Sequence, residues 1–63
     1  MNQKEIYRSA NLLIDAYGAD AAAHASRRMQ ELIGRRDVHG AGVWRRVLRA
    51  VRELQGQGGT TTH

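Results

Sequence analysis

Residues 40–54 have the sequence GAGVWRRVLRAVREL, and their pattern decides the class of fold. Apolar side chains recur every three or four residues, which places them on one face of an α-helix. This apolar stripe consists of Trp44, Val47, Leu48, Val51 and Leu54. Arg45, Arg49 and Arg52 fall on the outer face. The stretch therefore predicts an amphipathic helix with an apolar side for a core and an arginine-rich side facing away from it.

Two further amphipathic helices are predicted upstream of this stretch. The first covers about residues 2–17 and ends before Gly18, which can adopt the left-handed backbone conformation that terminates helices. The second covers about residues 21–34, and Asp20 is suited to cap its N-terminus. Its alanine-rich first half predicts a place where another helix packs closely. Its apolar stripe consists of Ala22, Ala25, Met29, Leu32 and Ile33.

The third helix is predicted to cover about residues 38–55, with Asp37 as its N-cap. Residues 1–55 are expected to form a single helical domain, because the sequence contains no internal repeat and no sign of a second domain. Residues 56–63 contain no apolar side chain, so they are predicted to be a disordered tail.

The expected fold class is all-α, since no run of alternating β-branched residues predicts a strand. We predict a small three-helix bundle, or a helical hairpin with a docked third helix, in which two long helices run antiparallel. A chain of 63 residues buries only about 60% of its unfolded surface, and without cysteine it cannot add a disulfide. Tyr7 and Leu12 also make the first helix apolar over more than one face. We therefore expect a homodimer.

The portion from Asp15 to Gln55 resembles a group of short uncharacterised alphaproteobacterial proteins. The group combines an Ala-rich helix that contains a His and paired basic residues, a short polar turn, and the pattern GA-x-x-W-x-R-[IV]-L-x-A-[IV]-x-x-L. The corresponding segments here are AAAHASRRMQELIGRRD and GAGVWRRVLRAVREL. The matching residues are Gly40, Ala41, Trp44, Arg46, Leu48, Ala50 and Leu54. The resemblance implies a helical architecture and no particular activity, and the chain departs from it at Arg36, where a small residue is expected before the turn Asp.

The chain carries a net charge of +4, with nine arginines and one lysine, which permits an anionic partner. A helix, a short turn and an arginine-rich helix also share the layout of a helix-turn-helix DNA reader. However, no Asn, Gln, Ser or Thr lies between Val38 and Leu54 to read bases.

Low-specificity binding to nucleic-acid phosphates is therefore the alternative function. Its candidate contacts are Arg35, Arg36, Arg45, Arg49 and Arg52. The competing interpretation of these arginines is a solvated helix face with ion pairs such as Arg49–Glu53.

No pattern in the sequence predicts catalysis, a cofactor or a metal. His24, His39 and His63 lack the three- or four-residue spacing that puts two metal ligands on one helical face. No serine is accompanied by a base and an orienting group, and the GQGG segment lacks the strand and helix that flank a phosphate-binding loop. We expect a protein with no enzymatic activity, no cofactor and no bound metal.

Tyr7, Leu12 and Trp44 are the candidate partner interface. Trp44 either anchors the core against Ile14 or Leu32, or lies at a subunit or partner contact, where Trp and Arg are enriched. The expected function is that of a non-enzymatic interaction or regulatory protein that presents a helical surface to a protein partner. No segment has the roughly 20 apolar residues of a membrane span, and the N-terminal segment lacks a secretory apolar core. We expect a cytoplasmic protein that does not act at membranes.

Overall fold

The computed structural model describes the backbone of residues 2–60 and the side chains of residues 2–56. Residues 2–60 contain helices and no strand, so the predicted all-α class is confirmed for this part of the chain. The elements are α1 (Gln3–Tyr17), a 3₁₀ turn (Gly18–Asp20), α2 (Ala21–Gly34) and α3 (Val38–Thr60). Helix α1, the 3₁₀ turn and α2 follow one another without interruption as one bent helical run, and α3 packs against both of its arms.

The bend between α1 and α2 depends on Gly18. This residue has φ +55° and ψ −123°, so its φ is positive, but it does not adopt the predicted left-handed helical conformation because its ψ lies outside that region. Its N–H donates to the carbonyl of Ile14, which completes the last turn of α1. A side chain at this φ would be strained, so glycine is the residue that fits the bend.

The prediction that Asp20 caps α2 is wrong. Asp20 is the last residue of the 3₁₀ turn, and its side chain makes no capping hydrogen bond. The N–H of Ala21 instead donates to the carbonyl of Gly18. The backbone of the 3₁₀ turn thus continues into α2 and gives the first N–H of α2 an acceptor within the helical run.

The turn between α2 and α3 is a Schellman motif that passes through Arg36. The N–H of Arg36 donates to the carbonyl of Ile33, and the N–H of Asp37 donates to the carbonyl of Leu32, both at 2.9 Å. Arg36 has φ +62°, at the position that glycine usually occupies in this motif. A positive φ at this position favours glycine, so arginine is strained there.

Asp37 caps α3, as predicted. Its Oδ1 accepts a hydrogen bond of 2.9 Å from the N–H of Gly40, and its own N–H closes the preceding turn. A Cβ added to Gly40 would lie 2.6 Å from Asp37 Oδ2. Glycine at position 40 therefore leaves room for the carboxylate over the first turn of α3.

Helix α3 extends beyond its predicted end. We expected the helix to stop near Gln55 and a disordered tail to follow, but the helix continues to Thr60. No proline interrupts residues 56–60, and their glycines can adopt helical dihedrals at a cost of up to about 1 kcal/mol each relative to alanine. The remainder of the predicted tail, residues 61–63, lies outside the described residues.

The core between the helices is made mainly of small side chains. Its buried cluster consists of Ile6, Ala10, Ala21, Val47, Ala50 and Val51. Ala21 and Ala25 are fully buried, which confirms the close helix crossing predicted for the start of α2. Larger residues, Trp44 among them, lie half-buried around this cluster.

We predict that Asp37→Ala lowers the free energy of unfolding by about 1 kcal/mol, because the N–H of Gly40 loses its partner. Asp20→Ala is the matched control, and it should change the free energy of unfolding by less than about 0.5 kcal/mol, since Asp20 caps nothing. Urea denaturation followed by circular dichroism measures both values. Equal losses in the two variants would contradict the assignment of the cap.

Candidate functional site

A groove lies between the end of α2 and the start of α3, and we name it the α2–α3 groove. Its volume is about 280 Å³. It is lined by Met29, Ile33, Arg36, Val38, Ala41, Gly42 and Arg45. Ile33 is 58% exposed and Val38 is 81% exposed. Two branched apolar side chains are therefore left in water at the edge of one groove.

The turn between the helices creates this arrangement. Ile33 lies in the last turn of α2 and Val38 is the first residue of α3, so the short Schellman turn brings them to the same edge. Ala41 and Gly42 line the same groove with the smallest side chains available. A Cβ added to Gly42 would meet no atom within 4 Å, so the groove is open beside this residue.

A second depression, the arginine cleft, continues from the groove along α3. It is lined by Met29, Arg45, Leu48, Arg49 and Arg52 and has a volume of about 380 Å³. The three arginines recur at four- and three-residue spacing, which places them on one face of α3. Met29 and Arg45 line both depressions, so the groove and the cleft form one continuous surface.

None of the described residues that line the groove or the cleft is acidic. Among the residues with described side chains, one ion pair is present, Arg28–Glu31 at 3.3 Å on the exposed surface of α2. The suggested Arg49–Glu53 pair is not present among these residues, and Glu53 accepts a 2.7 Å hydrogen bond from the Tyr7 hydroxyl. The surface formed by the groove and the cleft is therefore positively charged.

The structure separates the three residues of the predicted partner interface. Tyr7 is half-buried and bonded to Glu53, whereas Trp44 is half-buried and faces α2. Trp44 and Glu53 are nine positions apart on α3, or about two and a half turns, so they lie on opposite sides of the helix. Leu12 is 63% exposed on α1 and lines neither the groove nor the cleft. These residues therefore do not form one continuous surface.

Trp44 belongs to an aromatic cluster with His24 and Tyr17. Its ring lies edge-on to the imidazole of His24, with centroids 6.5 Å apart, and the guanidinium carbon of Arg28 lies 5.8 Å from the Trp44 ring centre. His24 also stacks on Tyr17, with centroids 4.2 Å apart. Like Ile14, Trp44 packs against the core cluster, which agrees with its predicted role as an anchor of the core, and its predicted role at a subunit or partner contact stays a prediction.

Four of the five predicted anion contacts lie on the surface formed by the groove and the cleft. Arg36 and Arg45 line the groove, while Arg45, Arg49 and Arg52 line the cleft. Arg35 is exposed but lines neither depression. The sequence therefore identified most of the charged part of this surface.

The apolar part of the surface was missed by the sequence interpretation. Ile33 was assigned to the buried stripe of α2, but it is mostly exposed, while the adjacent Leu32 is half-buried. Val38 is not among the residues of the predicted partner interface, yet it is 81% exposed. The available signal was the position of these two residues on either side of the polar GRRD turn, since apolar residues at such a turn have few neighbours to cover them.

No protein-family model, curated protein or solved structure matches this chain. Within the described part of the chain, no helix combines the length and the apolar character needed to cross a membrane. No group of three or more His, Asp or Glu side chains in that part is placed to hold a metal ion.

The hydrogen bond between the Tyr7 hydroxyl and Glu53 changes the pKa of Tyr7. The Glu53 carboxylate, helped by partial burial, raises the pKa of the Tyr7 phenol above its ordinary value of 10.0. The stabilisation from this bond is fully present below pH 10 and is lost as the pH rises through the raised pKa of Tyr7.

We predict that Glu53→Gln returns the pKa of Tyr7 towards its ordinary value, because the negative acceptor is removed. The measurement is an ultraviolet absorbance titration in a Tyr17→Phe background, in which Tyr7 is the remaining tyrosine of the chain. An Asp15→Asn variant in the same background controls for the loss of one negative charge elsewhere. An unchanged midpoint in Glu53→Gln would show that the bond does not form.

Proposed function

We propose that this protein is a non-enzymatic helical interaction protein that binds a protein partner through the α2–α3 groove and the arginine cleft. The observation that carries the proposal is the exposure of Ile33 and Val38 at the edge of one groove. Apolar surface that stays in water next to charged side chains is typical of protein interaction sites.

The shape of the groove supports a helix as the bound element. Helix-in-groove recognition places a few apolar side chains of the guest between two helices of the host. Ala41 and Gly42 leave space for such side chains, and Ile33 and Val38 would become covered on binding. Covering an apolar side chain contributes about 25 cal/mol for each Å² removed from water.

We propose two further features of the molecule in solution. The first is a three-helix bundle, supported by the contacts of α3 with both α1 and α2 and by the contacts between α1 and α2. The second is a homodimer, which is supported by the exposure of Leu12 on α1. An isologous dimer through the cleft is disfavoured, because it would bring the arginines of the two copies together. Light scattering measures the oligomeric state.

The alternative function is nucleic-acid binding with low sequence specificity. The convergence of Arg45, Arg49 and Arg52 in one cleft favours it, since phosphates attract several arginines at once. A phosphate backbone would leave Ile33 and Val38 in water, so this alternative accounts for less of the exposed surface.

For the cellular location we propose the bacterial cytoplasm, because residues 15–55 resemble short alphaproteobacterial proteins.

The test is affinity capture from native cell extract, with and without nuclease and at low and moderate salt. We predict that a protein is retained by the wild-type chain after nuclease treatment and at moderate salt, and is lost from an Ile33→Ser, Val38→Ser double variant. Both residues are exposed, so the double variant should fold normally. Leu12→Ser is the matched control for capture, because Leu12 is similarly exposed but lies outside the groove, so its replacement should affect self-association and leave capture of the partner unchanged.

Capture that disappears with nuclease would favour the nucleic-acid alternative instead. In that case binding should fall steeply with salt, and replacing Arg45, Arg49 and Arg52 by Gln should abolish it. Equal retention by the double variant and the wild-type chain would show that the groove is not the binding surface.

A further inference from the structure

The proposed function does not specify the chemistry of the partner. Because the α2–α3 groove and the arginine cleft are continuous, a partner that covers both must match an apolar part and a positively charged part. Along α3 the lining of this surface changes from the apolar or small residues Val38, Ala41 and Gly42 to the arginines of the cleft. Resting on the proposed function, we propose that the partner segment is an acidic amphipathic helix. Its apolar residues occupy the α2–α3 groove, and its carboxylates meet the arginine cleft.

The length of the surface fits a helix of about four turns. Val38 and Arg52 are 14 positions apart on α3, which corresponds to about 21 Å at 1.5 Å per residue. A guest helix lying along α3 would therefore use about 15 residues. Its apolar contacts would fall in one half and its charged contacts in the other half.

The carboxylates must come from the partner, because the acidic side chains on α2, the turn and α3 are already engaged. Glu31 pairs with Arg28, Asp37 caps α3, and Glu53 accepts the hydrogen bond from Tyr7. Arginine binds carboxylates in a bidentate manner, so the three guanidinium groups of the cleft suit carboxylates on successive turns of a guest helix.

The charge of the cleft and the apolar lining of the groove disfavour two other occupants, a second copy of this chain and a nucleic acid. A second copy of this chain carries a net charge of +4, which disfavours its approach to the arginine cleft. A nucleic acid supplies negative charge for the cleft but no apolar side chains for the groove. An acidic helix is the occupant that satisfies both halves of the surface.

The experiment is a selection of displayed helical peptides of about 16 residues against the full chain, with acidic and basic residues equally represented in the library. We expect the selected peptides to be acidic, with apolar residues concentrated towards one end. Replacing their Glu and Asp residues by Gln and Asn should weaken binding about tenfold at low salt, and higher salt should reduce this difference.

Two variants of the protein test the two halves of the surface separately. Gly42→Leu fills the groove, and because nothing lies within 4 Å of its added Cβ, the helix should form at least as well as in the wild-type chain. Arg45→Gln with Arg52→Gln should weaken the acidic peptides about tenfold. Arg8→Gln with Arg27→Gln, which removes the same net charge from outside the groove and the cleft, should have little effect.

The outcomes separate this inference from the proposed function. Neutral or basic peptides that bind the wild-type chain but not Gly42→Leu would overturn the acidic partner and leave the groove as a binding surface. A selection without binders, or with binders that Gly42→Leu does not affect, would overturn both. Recovery of peptides whose sequence matches part of this chain would assign the groove to self-association and overturn the acidic partner as well.

Discussion

Close packing of alanines at the centre of the molecule shapes the rest of its surface. Ala10, Ala21 and Ala25 are fully buried, and Val51 is the largest fully buried side chain. Small side chains let helices approach closely, but they leave little space for bulky ones. Trp44 therefore packs at the margin of the core, and Ile33 lies beyond it. The apolar surface available to a partner follows from this small core.

The turn between α2 and α3 converts that exposed surface into a groove. Arg36 takes a positive φ, Asp37 closes the turn with its N–H and caps α3 with its carboxylate, and Gly40 leaves room for that carboxylate. These interactions fix the end of α2 against the start of α3. Ile33 and Val38 are consequently held near each other, and Arg36 is placed between them at the edge of the groove.

Local features of the fold could be predicted from the sequence because they depend on neighbouring residues. The helical periodicity, the positive φ of Gly18 and the cap at Asp37 are examples. The failure at Asp20 has a local cause as well, since a 3₁₀ turn and a capped break give similar sequence signals. The extension of α3 to Thr60 shows that a glycine-rich segment can still be helical.

The candidate site was predictable only in part, because it depends on how the helices are placed relative to one another. The spacing of Arg45, Arg49 and Arg52 is a property of one helix, so the sequence identified their common face. The exposure of Ile33 depends on where α3 crosses α2, and periodicity along α2 contains no information about that crossing. For the same reason, Tyr7 and Trp44 were grouped by residue type although they lie on opposite sides of α3.

The α2–α3 groove and the arginine cleft together are the proposed binding surface of this protein. Its most direct test is nuclear magnetic resonance of the isotope-labelled chain during titration with the captured partner. If this surface binds the partner, the largest chemical-shift changes should occur at Ile33, Val38, Gly42 and the arginine side chains of the cleft. Changes centred on Tyr7 and Leu12, with the groove unaffected, would contradict it.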